Sequence, residues 1–363
     1  MESVIQQNVP LAPYTTLQVG GVADYFVVVR DVEEVREALR FAQQIATPTF
    51  ILGSGSNVLI DDGPLHRVVI KNEIKGISYE SGVSGMVLVI AGAGESWDAL
   101  VAETVSRGLS GLENLSGIPG TVGAAPVQNI NAYGAAVADV IEVVEVYDGE
   151  TDEFKTLSAA ECRFGYRDSI FKQPDGKHLI VLNVTFRVAA ESTVNLSYRS
   201  ASQSVERFLA EKNITTPTVA DVREAVLHVR SNIGMLLGQF NSAGSFFKNT
   251  VVSAAVFKTI EEIVERDFGV ISERLTPWHW PLPTGEEKIA TAFLLECSPY
   301  NKTTYGSKRF NGVVGLSPKH SLSIVTEPGA TTSDVGAFVE EIKKSVADIF
   351  MVTLETEVDY ISH

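Results

Sequence analysis

One short loop carries a hydroxyl, a cation and an amide at a spacing that could support chemistry. It reads Ser242-Ala-Gly-Ser-Phe-Phe-Lys-Asn249. Gly244 lets a backbone approach a ligand closely, Ser245 can donate a proton, and Lys248 can neutralise an anion. The alternative is a polar turn that precedes a helix, and this loop taken alone favours the turn.

Two further segments are suited to a large polar ligand. Gly53-Ser-Gly-Ser-Asn57 follows an apolar stretch, and successive N–H groups in such a loop can bind an anion such as pyrophosphate. It lacks the Gly-x-Gly-x-x-Gly dinucleotide pattern, so a tight connection is an equal alternative.

Residues 113–134 contain four glycines and almost no charge. We expect this stretch to pack against a partner, either a cofactor or the protein itself, because buried backbone groups need hydrogen bonds.

A pair of arginines forms a third candidate site. Arg163 and Arg167 lie four residues apart, with Tyr166 beside the second. An arginine can bind a carboxylate through two parallel hydrogen bonds. The alternative is a surface cluster of salt bridges with Glu161 and Asp168, which this segment alone favours.

The elements that position these residues differ along the chain. A strand ending near residue 29, a helix over 31–42 and strands over 49–52 and 68–70 predict a β-α-β arrangement. Further strands over 87–91, 140–147 and 179–188, with a helix over 97–105, predict a mixed middle portion. Helices are predicted over 200–212, 219–229, 253–267 and 332–350. A last strand over 351–360 places Glu355 and Glu357 on one side, so either carboxylate is eligible for a site.

The composition limits the classes of function. The chain has 363 residues, which predicts two or three domains, and its net charge of −16 argues against nucleic acid and anionic membranes. We expect no signal peptide and no membrane insertion. Cys162 and Cys297 lie far apart, which favours free thiols and a cytoplasmic location.

Together these segments resemble the UDP-N-acetylenolpyruvoylglucosamine reductases (UDP-N-acetylmuramate dehydrogenases), flavoenzymes that complete UDP-N-acetylmuramate for peptidoglycan. The matching motifs span almost the whole chain in the order of the family. They lie at 51–59, 111–120, 161–171, 243–249 and 354–358. Leu196-Ser-Tyr198 resembles the tyrosine-bearing loop of one subclass.

The resemblance implies an α+β, three-domain flavoprotein related to the vanillyl-alcohol oxidase type of FAD-binding fold, with a C-terminal α/β substrate domain. Residues 1–74 with 352–363 would form FAD-binding subdomain 1, and residues 75–228 would form subdomain 2. Residues 229–351 would form the substrate-binding domain. NADPH would reduce the FAD, and UDP-N-acetylglucosamine enolpyruvate would then reoxidise it. The resemblance further implies roles in cell wall biogenesis, cell shape and cell division; a monomer is favoured and no metal is expected.

The resemblance also implies roles for individual residues. The implied catalytic residues are Arg167 and Glu357, which stabilise an enolate, and Ser245, which protonates the α carbon. A neighbouring anion would raise the pKa of Glu357 and keep its carboxyl protonated. The implied FAD-binding residues are Gly53, Ser54, Gly55, Ser56, Asn57, Ile118, Pro119, Gly120, Gly123, Ala124, Asn131 and Ile180. The implied substrate-binding residues are Tyr166, Tyr198, Arg230, Lys248 and Asn249.

Three positions depart from the family pattern. Ala125 stands where the family usually has a hydroxyl residue, and Asn131 stands where the family usually has glycine. Near the position of Ile233, the family usually has a lysine that helps to hold the substrate. These departures motivate a second hypothesis, a flavin- or nucleotide-sugar-binding paralogue with weak or no turnover. A third is an oxidoreductase of the same architecture that acts on another substrate.

Overall fold

The first part of the chain forms a small mixed sheet with one helix. The computed structural model describes residues 4–190, 194–196, 205–274 and 278–362. A four-stranded sheet has the order β1-β2-β5-β3, in which β1 pairs antiparallel with β2 and the other pairs are parallel. The elements are β1 Gln6–Pro10, β2 Val22–Val29, α1 Val32–Gln44, β3 Thr49–Leu52, β4 Val58–Ile60 and β5 Pro64–Asn72.

The middle part is built on an antiparallel sheet of five strands in the order β11-β10-β12-β7-β6. Helices α2 and α5 lie close to each other beside this sheet. The elements are β6 Ile77–Ser81, β7 Met86–Gly92, α2 Trp97–Ser106, α3 Ala124–Gln128, β8 Asn131–Ala132, β9 Ala135–Ala136, β10 Ile141–Asp148, β11 Glu153–Ser158, β12 Leu179–Ala189, α4 Val205–Glu211 and α5 Val219–Asn232.

The C-terminal part contains two three-stranded antiparallel sheets, β13-β18-β17 and β14-β16-β15. Helix α9 packs on the first of them through Phe338, Ile342 and Val346. The elements are β13 Ser242–Ser245, β14 Thr250–Ser253, α6 Ala254–Arg274, β15 His279–Pro281, β16 Glu286–Ile289, α7 Thr291–Glu296, α8 Lys302–Tyr305, β17 Val314–Leu316, β18 Ser323–Thr326, α9 Thr332–Phe350 and β19 Asp359–Ile361.

The chain end returns to the N-terminal part, because β19 pairs parallel with β4. The prediction of one long strand over 351–360 is wrong, since only Asp359–Ile361 form a strand. The preceding segment pairs with the rest of the chain at a single bridge, Phe247 with Thr356. The side chain of Glu355 is 75% exposed and that of Glu357 is 12% exposed, so the two carboxylates occupy different environments.

Apart from the last strand, the predicted helices and strands are confirmed where the structure describes them; residues 200–204 of the helix predicted over 200–212 lie outside the described residues. Helix α9 has the predicted limits and buries an apolar stripe that includes Val335, Phe338, Ile342 and Val346. The predicted loop over 113–134 contains the short helix α3 and the two-residue strands β8 and β9. The domain limits stay a prediction. Helix α5 runs across the limit predicted between residues 228 and 229. Within the described ranges, no helix is both long and apolar enough to cross a bilayer.

The start of α9 offers a test of this local folding. Thr331 accepts a hydrogen bond from the Asp334 N–H, and Asp334 caps the Thr331 backbone in return. We expect Thr331→Ala to lower the free energy of unfolding by about 1 kcal/mol in urea denaturation, because two N–H groups at the helix start lose their organised acceptors. Lys344→Ala on the exposed face of the same helix is the control and should cost less than about 0.5 kcal/mol. Equal effects of the two substitutions would contradict this account of the cap.

Candidate active site

A cavity of about 500 Å³ lies where the three parts of the chain meet. Its walls come from the loop after β3, the loop before α3, the end of α5, strand β13 and the chain end. Twelve of the predicted site residues line it. They are Ser56, Asn57, Ile118, Pro119, Gly120, Ala124, Asn131, Arg167, Arg230, Ser245, Asn249 and Glu357.

The loop after β3 presents backbone donors with no acceptor. The N–H groups of residues 54–57 donate no hydrogen bond within the described part of the chain. Gly55 has φ +65°, and a Cβ added there would lie 2.1 Å from the Tyr14 carbonyl oxygen. Only glycine therefore permits this turn, whose donors are suited to an anionic group. This favours the anion-binding interpretation over a tight connection.

The loop before α3 faces the first loop across the cavity. Its Ile118, Gly120 and Thr121 N–H groups likewise have no acceptor among the described residues. The Ser56 hydroxyl donates to the Pro119 carbonyl at 3.1 Å and joins the two loops. Gly120 has φ +148°, and a Cβ added there would have only the Ser56 Oγ within 4 Å, at 3.7 Å. The backbone at Gly120 therefore borders open space rather than packed side chains.

Ser245 stands at a bulge at the end of β13. The register between β13 and β18 shifts between Ser242 and Ser245, and Gly244 within the bulge has φ +73°. A bulge with a left-handed glycine redirects the next side chain. The Ser245 side chain lines the cavity, and its hydroxyl makes no hydrogen bond to any described residue. It is thus available to a ligand.

Arg167 and Glu357 form an ion pair in the same cavity, with Nε and Oε1 separated by 2.7 Å. Arg167 has φ +52°, an unfavourable conformation for a long side chain. The buried Nε–H of Arg167 nevertheless makes no hydrogen bond of acceptable geometry, not even to the nearby Glu357 carboxylate. Arg163 instead pairs with Asp175 at the surface, 2.7 Å away. The two arginines therefore differ. Arg163 forms a surface salt bridge, as in the alternative, but with Asp175 rather than with Glu161 or Asp168, whereas Arg167 contacts the buried carboxylate of Glu357.

The surroundings of Glu357 change its protonation. Burial raises the pKa of its carboxyl above the ordinary value, although Arg167 and hydrogen bonding act in the opposite direction. The raised pKa agrees with the prediction, and in the protein itself burial is its main cause. The predicted contribution of a neighbouring anion stays a prediction. The main chain of Glu357 is held by Asn57, whose Nδ2 donates to its carbonyl at 3.1 Å, and by the Phe246 carbonyl, which accepts from its N–H at 2.8 Å.

Basic groups occupy the other end of the cavity. The Arg230 guanidinium donates to the carbonyls of Gly117 and Met235, which leaves it fixed and buried. Lys319 donates to the Ser231 carbonyl at 3.0 Å. Burial, with Lys302 and Arg230 nearby, lowers the pKa of His320 to about 4, so this imidazole is neutral near pH 7. Its Nδ1 accepts from the Leu322 N–H at 3.1 Å.

Some predicted residues do not line the cavity. Tyr166 is half exposed, and its hydroxyl accepts from the Asn249 N–H at 3.3 Å. Lys248 pairs with Glu355 at 3.4 Å. Ile180 is buried in a hydrophobic cluster, and Tyr198 lies outside the described residues. The others are Gly53, Ser54, Gly55 and Gly123, which lie beside lining residues in the two loops. The roles predicted for all of these residues stay predictions.

Sequence reasoning also missed residues that line the cavity. They include Thr121, Gln128, Trp280, Glu296, Lys302, Lys319, His320 and Ser321. Thr121 and Gln128 lie in the nearly uncharged stretch 113–134, and the low charge of that stretch was the signal that could have found them. The others are single polar or aromatic residues without a local motif.

Comparison with known proteins identifies the family. Residues 23–157 match an FAD binding domain, and residues 236–361 match the C-terminal domain of UDP-N-acetylenolpyruvoylglucosamine reductase. The chain is 38% identical over 361 residues to the reductase of Thermobifida fusca, with 98% of each chain covered. It is 35% identical over 358 residues to that of Pseudomonas aeruginosa, covering 98% of this chain and 99% of the relative. The chain belongs to the UDP-N-acetylenolpyruvoylglucosamine reductase family.

The same comparisons confirm the predicted multi-domain flavoprotein fold. The solved structure of the Thermus caldophilus reductase aligns over 99% of both chains with a TM-score of 0.63 and 24% identity. The matched FAD binding domain makes the chain an FAD-containing oxidoreductase. The two loops with unpaired N–H groups fit such a cofactor, because they supply donors for its phosphates and ring and both border the cavity.

Gly120 provides a test of FAD binding at these loops. We expect Gly120→Ala to weaken FAD binding at least about tenfold, because the added methyl occupies cavity space. The measurement is the flavin absorbance per protein after purification, followed by titration of the apoprotein with FAD. Gly76→Ala is the control, since Gly76 has a similar φ of +127° and open space around it outside the cavity. Wild-type FAD affinity in the Gly120 variant would place the cofactor elsewhere.

Proposed function

We propose that this protein catalyses the NADPH-dependent reduction, through FAD, of UDP-N-acetylglucosamine enolpyruvate to UDP-N-acetylmuramate, a step of peptidoglycan synthesis. The observation that carries the proposal is that Ser245, Arg167 and Glu357 meet in one cavity with the two loops of unpaired N–H groups. The reaction needs a proton donor and groups that stabilise an anionic intermediate, both beside a flavin. Ser245 would be the proton donor, and Arg167 and Glu357 would stabilise the anion.

The chemistry assigns a task to each group. When bound and reduced by NADPH, the flavin would supply the hydride that adds to the vinyl carbon of the enol ether. Negative charge then develops on the carboxylate-bearing side of the substrate as an enolate. Arg167 and a protonated Glu357 stabilise that charge as fixed donors in a buried site. Ser245 gives its proton to the α carbon as the general acid.

The remaining predicted residues would hold the nucleotide part of the substrate. We propose that Arg230, Lys248 and Asn249 bind its diphosphate and uridine portion, with Tyr166 and Tyr198 beside them. The cluster of Arg230, Lys302 and Lys319 at one end of the cavity supports an anionic ligand there. NADPH would occupy the same space before the substrate enters.

The proposal extends to the cellular setting and to the domain organisation. We propose a cytoplasmic monomer that serves cell wall biogenesis, cell shape and cell division. We propose the domain limits 1–74 with 352–363, 75–228 and 229–351. The pairing of β19 with β4 supports the inclusion of the chain end in the first domain.

A paralogue with weak or no turnover is the second candidate. Ile233 motivates it, because an apolar side chain lines the cavity near the end of α5 where the family has a lysine. Lys319 supports the first candidate, since its ammonium group reaches the Ser231 carbonyl close to Ile233 and lines the same cavity. A cation is therefore available at that wall.

The test of the proposed function uses the purified protein in the absence of oxygen. NADPH should bleach the yellow flavin absorbance, and UDP-N-acetylglucosamine enolpyruvate should restore it. Bleaching without recovery would favour an oxidoreductase for another substrate. A yellow protein that NADPH cannot bleach would favour the paralogue without turnover.

Replacement of Ser245 separates the two half-reactions. We expect Ser245→Ala to keep the rate of flavin reduction by NADPH and to slow reoxidation by the enolpyruvyl substrate by about 10²- to 10⁴-fold, because general acid catalysis is lost. Stopped-flow absorbance measures both rates. Ser242→Ala in the same strand is the control and should change neither rate. Equal losses in both half-reactions of the Ser245 variant would remove this residue from the role of proton donor.

The raised pKa of Glu357 predicts a pH dependence. A carboxyl with a raised pKa stays protonated above the ordinary pKa of glutamate and ionises as the pH rises through its own value. The rate of reoxidation should therefore fall as the pH rises through the pKa of Glu357, because an ionised Glu357 no longer donates a hydrogen bond to the enolate. Glu357→Gln keeps a neutral donor, so its rate at low pH should lie within about tenfold of wild type and should not fall over the same rise in pH. A glutamine variant with the wild-type profile would assign the titration to another group.

A further inference from the structure

The hydroxyl of Ser323 lies across the sheet from that of Ser245. Ser245 in β13 pairs with Ser323 in the antiparallel neighbour β18. The Phe246 N–H donates to the Leu322 carbonyl at 2.8 Å, which marks the Ser245–Ser323 pair as one without hydrogen bonds between its own backbone groups. Side chains of such a pair stand on the same face of the sheet and lie closer together than in the other type of pair.

The face shared by the two serines is the one that borders the cavity. Their neighbours Phe246 and Ile324 belong to the hydrophobic core of the C-terminal part, on the opposite face. Ser245 lines the cavity. Since successive side chains in a strand alternate between faces, Ser323 lies on the cavity side of the sheet, behind Ser245.

Ser323 is a buried hydroxyl without a partner. It is 0% exposed, and its Oγ makes no hydrogen bond within the described part of the chain. Other buried hydroxyls nearby are engaged: Thr326 donates to the Leu17 carbonyl, and the Ser321 hydroxyl donates to Glu296. A buried polar group with no partner is unfavourable and needs an explanation, such as a role that appears only with a ligand or charge.

We propose that Ser323 is a positioning residue for Ser245. This inference rests on the proposed function, in which the O–H bond of Ser245 breaks and its proton forms the new C–H bond at the α carbon. The electron pair of the enolate makes that bond, and Ser245 is left as an alkoxide. The Ser323 hydroxyl keeps its own proton and donates a hydrogen bond to this alkoxide, as serine pairs on neighbouring strands can do. Solvent later returns a proton to Ser245.

The sequence gives no sign of this partner, because Ser323 lies 78 positions beyond Ser245 in a short strand without a recognisable motif. A serine hydroxyl is a weak acid, so the alkoxide that it leaves needs a hydrogen-bond donor, and the Ser323 hydroxyl would be such a donor. A hydrogen bond to a charged oxygen is stronger than one to a neutral hydroxyl, so Ser323 would assist the transition state more than the resting protein.

The experiment compares Ser323→Ala, Ser245→Ala and the double variant in anaerobic stopped-flow reoxidation, with FAD bound. Ser323→Ala should lower the limiting rate of reoxidation by about 10- to 100-fold, because a charge-assisted hydrogen bond is lost. The substrate concentration for half-saturation and the rate of flavin reduction by NADPH should not change. In the Ser245→Ala background, the Ser323 substitution should have no further effect, because it acts through Ser245.

The control is Thr326→Val in the same strand, which removes a buried hydroxyl bonded away from the cavity. It should lower thermal stability and leave the rate of reoxidation unchanged. The inference is overturned if wild type is reoxidised by the substrate and Ser323→Ala is equally fast. It is also overturned if the loss is the same in the Ser245→Ala background. A wild-type protein that the substrate cannot reoxidise would instead overturn the proposed function, and the inference with it.

Discussion

The chain end around Glu357 makes hydrogen bonds to each part of the site, and the geometry of the site depends on them. The Glu357 carbonyl accepts from Asn57 in the first loop, and its N–H donates to the Phe246 carbonyl beside Ser245. Its carboxyl contacts Arg167 from the middle part of the chain. One residue therefore connects the loop at residues 54–57, the strand end beside Ser245 and the buried Arg167. The pairing of β19 with β4 anchors this residue from the other side.

Local charge in the cavity is opposite to that of the whole chain. The net charge is −16, yet the cavity is lined by Arg167, Arg230, Lys302 and Lys319 and bordered by unpaired backbone N–H groups. Arg167 and Arg230 are largely buried, so solvent screens their charges little at short distances, whereas Lys319 is exposed. The same burial raises the pKa of the Glu357 carboxyl and lowers the pKa of His320 to about 4, so both shifts favour the neutral form of the side chain.

Local patterns predicted much of the fold, and motifs predicted much of the site. Helix α9 follows from helical periodicity and strand β3 from a short apolar run, and both signals depend only on neighbouring residues. The segment before β19 was predicted wrongly because its hydrogen bonds go to Phe246 and Lys248, over a hundred positions earlier in the chain. Period two alone could not separate Glu355 from Glu357, since the choice depends on which carboxylate Arg167 meets. Lys319 and His320 carry no local motif, and the packing of the segment before β18 against the rest of the chain brings them to the cavity.

The central claim is that a flavin ring lies between the two loops of unpaired N–H groups, with Ser245, Arg167 and Glu357 across the cavity from it. A crystal structure of the protein with FAD tests this most directly. The account predicts density for the ring between the loops at residues 54–57 and 118–121, and the Ser245 hydroxyl directed toward the space in front of it. Density for the ring at another surface, or a Ser245 hydroxyl directed away from the ring, would contradict it.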